Sequence, residues 1–173
     1  MLLAATLAIV SLASAFAQDD LAEPLQPLKP FLGKTWKGAF ANSTPEKPVI
    51  DVSRWERALN GKAVRIVHSI NNGEYGGESF IFWDNEKKSL VFYYFTTAGF
   101  FTTGTSTCED NKLVSHEYVK GAAANGVTEV KSTFAITPDG KMTSTAEYFK
   151  NGKWEGGREV VYVEDAMAQV VFK

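Results

Sequence analysis

The two histidines, His68 and His116, are the side chains of this chain best suited to acid–base chemistry or metal ligation near neutral pH. His68 lies in "KAVRIVHSI", where strand alternation places it on one face with aliphatic neighbours. His116 lies in "LVSHEYVK" and shares its face with a valine and a tyrosine. Each pattern predicts either a ligand contact, including an axial bond to haem iron, or a buried histidine hydrogen-bonded to a neighbouring strand.

Three further polar residues are candidates for holding an anionic group. Arg158 and Tyr162 share a face of the segment "GGREVVYVE", and Arg54 follows two aliphatic residues in "VIDVSRWERAL". A guanidinium removed from water needs an anionic partner, so each arginine is predicted to anchor a ligand if it points inward. For Arg54 the alternative is a surface ion pair with Glu56.

The stretch "SLVFYYFTTAGFF" is aromatic on both faces of an extended chain. One face carries Tyr93 and Phe95, and the other carries Phe92 and Tyr94. A strand with one wet face would alternate apolar and polar residues, so both faces are expected to be covered. We expect Tyr93, Phe95 and the neighbouring Phe82 to contact an interior ligand. The outward set would be covered by the N-terminal segment or by a second subunit in a homodimer.

No motif of a known catalytic or metal centre is present. HExxH and CxxC patterns are absent, the histidines are not spaced for joint ligation, and no metal site is predicted. Cys108 is the single cysteine, which excludes an intrachain disulfide. An enzyme alternative would combine His68 with an interior carboxylate, for which Glu78 and Glu147 are candidates.

Turn-forming residues recur at nearly even intervals and divide the chain into short segments that favour β-structure. These predicted strands lie near 35–41, 48–58, 62–70, 77–84, 89–97, 100–108, 112–120, 127–136, 141–150 and 154–163, with a possible short helix over 20–32. The short connections favour antiparallel pairing of neighbours. The prediction is an all-β, up-and-down barrel of about ten strands, because only closure removes both edges of such a meander.

The first 17 residues form an apolar run that ends in "AFA" and is followed by polar residues. This pattern predicts a secretory signal peptide over 1–17, a lead-in over 18–34 and a barrel domain over 35–173. The protein is therefore expected to be secreted or periplasmic. A net charge of −2, with a pI near 5.7, argues against nucleic acid as a partner. No second apolar run is long enough to span a membrane in the mature protein.

The segment "FLGKTWKGAF" resembles the opening strand of the calycins, the superfamily of lipocalins and fatty-acid-binding proteins. The resemblance implies a barrel whose closed floor is formed by Gly33 and Trp36, with Arg158 of the last strand lying across the tryptophan. It extends to uncharacterised secreted bacterial calycin-like domains and, more distantly, to the nitrobindin-type haem barrels.

The resemblance implies a barrel that binds a small hydrophobic or amphipathic molecule in its interior. Interior aromatics would supply the apolar contacts, and His68, His116, Arg54, Arg158 and Tyr162 are the candidate polar anchors. Three alternatives stay open at this point: a haem-binding barrel, an enzyme using an interior His/carboxylate pair, and a filled barrel that acts as an interaction module.

Overall fold

The computed structural model describes residues 20–121 and 124–173. Ten strands follow a 3₁₀ segment at Glu23–Phe31. The strands are β1 Lys34–Phe40, β2 Ile50–Ala58, β3 Ala63–Ile70, β4 Tyr75–Asp84, β5 Ser89–Thr96, β6 Phe101–Glu109, β7 Lys112–Lys120, β8 Val127–Ile136, β9 Met142–Lys150 and β10 Lys153–Glu164. The signal peptide predicted at 1–17 lies outside the described residues.

Each strand pairs antiparallel with the next, and β1 pairs with β10, so the sheet closes into a ten-stranded barrel. The predicted all-β, up-and-down barrel is confirmed. The strands begin and end within two residues of the predicted segments. Such agreement follows from the regular turn signals, because a polar turn at each hairpin fixes where the ladder of backbone hydrogen bonds must stop.

The turn between β2 and β3 fixes the register of the strand pair that later forms the site. Asn60 and Gly61 have φ angles of 55° and 82°, a left-handed conformation that asparagine and glycine adopt most readily. Pairing then runs back along the hairpin from Ala58 opposite Ala63 to Ser53 opposite His68.

The N-terminal 3₁₀ segment closes one end of the barrel. Three of its apolar side chains are buried in the core: Leu25, Leu28 and Phe31. The Phe31 ring stacks on Trp55 with centroids 5.0 Å apart, and its carbonyl accepts a hydrogen bond from Trp36 Nε1 at 3.2 Å. The segment is a 3₁₀ helix, not an α-helix, because Pro27 and Pro30 remove two backbone N–H donors.

Strand β5 shows which aromatic face is inside. Phe92 and Tyr94 line the interior. Tyr93 and Phe95 point outward and are 42% and 51% exposed. The expectation that Tyr93 and Phe95 contact an interior ligand is therefore wrong. The lead-in leaves both rings uncovered, and the homodimer expected to cover this face stays a prediction.

Candidate functional site

The barrel interior holds a cavity of about 420 Å³, so the barrel is hollow. Every strand contributes to its wall, and its rim includes Phe40, Ile70, Tyr75 and Phe100 beside the turns opposite the N-terminal segment. Apolar side chains form much of the wall: Ile66, Ile81, Phe92, Leu113, Val130 and Phe134. A cavity of this size and composition falls in the range of small-molecule sites in proteins.

A chain of hydrogen bonds runs through the polar part of the cavity wall. Asp51 on β2 accepts a hydrogen bond at Oδ2 from the Tyr162 hydroxyl at 2.7 Å, and its Oδ1 lies 2.9 Å from His68 Nδ1. His68 Nε2 lies 2.7 Å from the Tyr94 hydroxyl, which lies 2.9 Å from the Tyr75 hydroxyl. One network therefore joins side chains from five strands: β2, β3, β4, β5 and β10.

Gly38 on β1 makes room for the Tyr162 ring. A methyl group at Gly38 would lie 2.8 Å from Tyr162 Cδ1 and 2.6 Å from the Val161 carbonyl oxygen, both shorter than van der Waals contact. The glycine of the "TWKG" motif thus lets the tyrosine lie flat against β1 and reach Asp51. Burial raises the pKa of the Tyr162 hydroxyl well above its ordinary value, and the Asp51 carboxylate raises it further.

Arg158 on β10 also lines the cavity. Its Nε atom is buried and has no hydrogen-bond partner among the described residues. Its guanidinium carbon lies 5.4 Å from the centre of the Phe134 ring. Burial alone would lower the pKa of this guanidinium, but its electrostatic interactions with Tyr162, Tyr148, Glu117 and Asp51 raise it above its usual value. The cavity wall therefore carries a permanent positive charge.

The second interior carboxylate, Glu117 on β7, is already occupied. Its two oxygens accept hydrogen bonds from Thr102 Oγ1 at 2.8 Å and Ser132 Oγ at 2.7 Å. Both partners are buried hydroxyls on the flanking strands β6 and β8. Since Asp51 is similarly engaged by His68 and Tyr162, the two carboxylates of the cavity are satisfied while the Arg158 Nε is not.

Three of the eight predicted ligand-binding residues line the cavity: His68, Arg158 and Tyr162. The other five lie on the outer surface: Arg54, Phe82, Tyr93, Phe95 and His116. Arg54 pairs with Glu56 at 3.2 Å, His116 Nε2 lies 2.7 Å from Glu129 Oε2, and the Phe82 ring stacks on Tyr93. The prediction that these five side chains point inward is wrong, because alternation places them opposite the cavity-facing residues of the same strands.

The barrel floor differs in one contact from the expected arrangement. Trp36 is fully buried at the closed end, and Gly33 precedes β1 with a φ of 73°. The cation over the Trp36 ring is Lys34, with Nζ 5.1 Å from the centroid. Arg158 instead lies over Phe134 in the cavity wall, so its expected contact with Trp36 is replaced by Lys34.

The carboxylate that pairs with His68 is Asp51, which was not among the predicted site residues. The alternatives, Glu78 and Glu147, do not reach the imidazole: Glu78 is bound by Arg65 across the outer face, and Glu147 is exposed. The sequence does contain a pattern that indicates Asp51, the Asn60–Gly61 turn, which fixes the register of β2 against β3. Counting back along an antiparallel hairpin from that turn places Asp51 diagonally across from His68.

Haem binding through His68 is not supported by the contacts of this side chain. Both imidazole nitrogens already have partners, so an iron bond to Nε2 would have to replace the bond to Tyr94. His116 lies outside the cavity and is held by Glu129. Within residues 20–121 and 124–173, no group of three or more His, Cys, Asp or Glu side chains is arranged to hold a metal ion. No helix in the same ranges is long and apolar enough to cross a membrane.

No protein-family description matches this chain, and no curated protein is similar to it in sequence. Among solved structures, the chain is similar to the crystal structure of Rv2717c from M. tuberculosis, with a TM-score of 0.59 and 15% sequence identity. The similarity covers 84% of this chain and 98% of that chain. At this identity the likeness shows the fold alone. The closed ten-stranded antiparallel barrel fits a calycin-like fold, and membership of that superfamily stays a prediction.

Proposed function

We propose that this barrel binds a small amphipathic molecule with an anionic head group in its interior. The observation that carries the proposal is the buried, unpartnered Nε of Arg158 in the wall of a cavity of about 420 Å³. A buried polar nitrogen without a hydrogen bond is costly, and an anionic ligand group would supply the missing acceptor.

The lining of the site supports a ligand with an apolar portion and one polar end. The apolar wall formed by Ile66, Ile81 and Phe134 would contact a hydrocarbon portion, because burial of apolar surface is the main source of affinity in such cavities. Glu117 and Asp51 are occupied by hydroxyl and imidazole partners. A cationic ligand would therefore compete for satisfied carboxylates and would face the charge of Arg158.

The test is the binding of dodecanoate to the purified protein, measured by isothermal titration calorimetry. We expect saturable binding of one molecule per chain. The uncharged analogue dodecanol should bind at least tenfold more weakly, because a charged hydrogen bond contributes about 1.5–3 kcal/mol. In Arg158→Met, which keeps an unbranched apolar stem but removes the guanidinium and its charge, the affinity for dodecanoate should fall by a similar factor.

Arg54→Met is the matched control, since it removes an arginine from the outer surface. Its affinity for dodecanoate should equal that of the unaltered protein. Equal affinity for dodecanoate and dodecanol, with no effect of Arg158→Met, would contradict the anionic head group. No saturable binding of either compound would contradict the interior carrier function.

We also propose that the protein acts after export, in the periplasm or outside the cell. The proposal is supported by the apolar run and the "AFA" sequence within residues 1–17. Expression of the full chain in a bacterial host, followed by intact-mass measurement of the fractionated protein, provides the test. A product beginning at Gln18 in the periplasmic or secreted fraction is expected. A full-length protein confined to the cytoplasmic fraction would contradict export.

A further inference from the structure

The hydrogen bonds of the interior network have directions that follow from the chemistry of their members. A carboxylate accepts only, so Asp51 requires Tyr162 and His68 Nδ1 to be donors. In a neutral imidazole with its proton on Nδ1, Nε2 is an acceptor. When the imidazole is neutral, the Tyr94 hydroxyl, 2.7 Å from Nε2, donates its single hydrogen to His68.

The last member of the network is then limited to one role. Because the hydrogen of Tyr94 is then used in the bond to His68, Tyr75 is the donor in the 2.9 Å hydrogen bond between the Tyr75 and Tyr94 hydroxyls. Tyr75 has no second hydrogen to offer, and its oxygen keeps lone pairs that have no partner in this network. The Tyr75 side chain lines the cavity at the start of β4, beside the turn at the open rim.

We propose that the Tyr75 hydroxyl is an acceptor site for a hydroxyl group of the bound ligand, so that the preferred ligand is a hydroxylated anionic amphiphile. This inference rests on the proposed function, since Arg158 takes the anionic group. A hydroxyl that donates to a neighbour becomes a better acceptor, so the bond from Tyr75 to Tyr94 strengthens the site.

An ammonium group is the other common donor, and the charge of Arg158 disfavours it. Burial raises the pKa values of Tyr75 and Tyr94, and the positive charge of Arg158 lowers both by more than the carboxylate of Glu117 raises them. An ammonium beside Tyr75 would therefore be repelled by that guanidinium. Asp51 and Glu117, the carboxylates of the cavity, have their oxygens engaged elsewhere. A neutral hydroxyl meets neither obstacle.

The experiment compares dodecanoate with β-hydroxydodecanoate and ω-hydroxydodecanoate by isothermal titration calorimetry. We expect at least one hydroxy acid to bind about five- to tenfold more tightly than dodecanoate, the gain of one hydrogen bond. In Tyr75→Phe, the ratio of the two Kd values should fall to about one. Tyr93→Phe, which removes a hydroxyl from the outer face of the barrel, should keep the ratio of the unaltered protein.

The outcomes separate this inference from the proposed function. If dodecanoate binds but neither hydroxy acid gains affinity, or if the gain persists in Tyr75→Phe, the acceptor site is overturned and the carrier function stands. If neither dodecanoate nor the hydroxy acids bind, both proposals fail. Far-UV circular dichroism and thermal unfolding of the two variants establish that each is folded as the comparison requires.

Discussion

At the scale of single residues, the interior is notable for carboxylates that are fully engaged. The Asp51 side chain is nearly inaccessible to water, and burying a carboxylate is costly unless its oxygens are hydrogen-bonded. Tyr162 and His68 supply one bond to each oxygen. Arg158 differs, because its buried Nε has no hydrogen-bond partner among the described residues. That contrast between two charged groups of the cavity wall is the basis of the proposed ligand chemistry.

Cys108 provides a prediction at the same scale. Its thiol is buried where β6 meets the N-terminal segment and donates to the Pro27 carbonyl at 3.4 Å. Burial, with a smaller contribution from Glu109, raises its pKa to about 11. At pH 8 about one thiol in a thousand would be ionised, and the thiolate is the reactive form. We therefore expect the native protein to react with Ellman's reagent very slowly at this pH, with the rate rising as pH approaches 11.

Protein unfolded in guanidinium chloride is the control for that measurement. It should release one equivalent of thionitrobenzoate at once, because an exposed thiol ionises near its ordinary pKa. Complete reaction of the native protein on the same timescale would contradict both the burial of Cys108 and its contact with the lead-in.

At the scale of secondary structure, the N-terminal 3₁₀ segment acts as part of the core. Leu28 is fully buried, and replacing a buried leucine with alanine leaves a cavity that costs about 3–5 kcal/mol. We expect Leu28→Ala to lower the free energy of unfolding by about this amount in urea titrations. Loss of less than 1 kcal/mol would show that the segment is not required to close the barrel.

Leu59→Ala is the matched control for Leu28→Ala. The same chemical change is made at a side chain that is 69% exposed in the turn between β2 and β3. Because little apolar surface is buried there, the free energy of unfolding should change by no more than about 0.5 kcal/mol. The difference between the two variants measures the contribution of packing at the closed end.

The strands, their order and the closure of the barrel were predictable from the sequence, because turn residues and β-branched runs act locally. The inward face was harder to predict on strands with apolar side chains on both faces. On β5, alternation separates Phe92 and Tyr94 from Tyr93 and Phe95, but it does not say which pair is inside. That choice depends on the other strands of the barrel, whose polar residues Ser53, Thr102 and Ser132 occupy the interior. A partly polar interior departs from the usual rule that polar faces point outward.

At the scale of the whole molecule, the site is shared among all parts of the barrel. Every strand contributes at least one side chain to the cavity wall. The network alone joins Asp51 near the start of the domain to Tyr162 near its end, a separation of 111 residues. No hairpin or shorter fragment contains both the Arg158 guanidinium and the Asp51–His68 pair, so the proposed ligand chemistry belongs to the closed barrel.

The closing pair of β1 with β10 has a consequence for how the protein forms. Among the strand pairings it joins the residues farthest apart in sequence, and contacts of long sequence separation carry a large loop-closure cost and slow the folding reaction. A nascent chain still lacking its last strand has an open edge and no Arg158. The proposed ligand capture therefore requires the closed barrel, and a bound molecule would report that the last strand has reached the first.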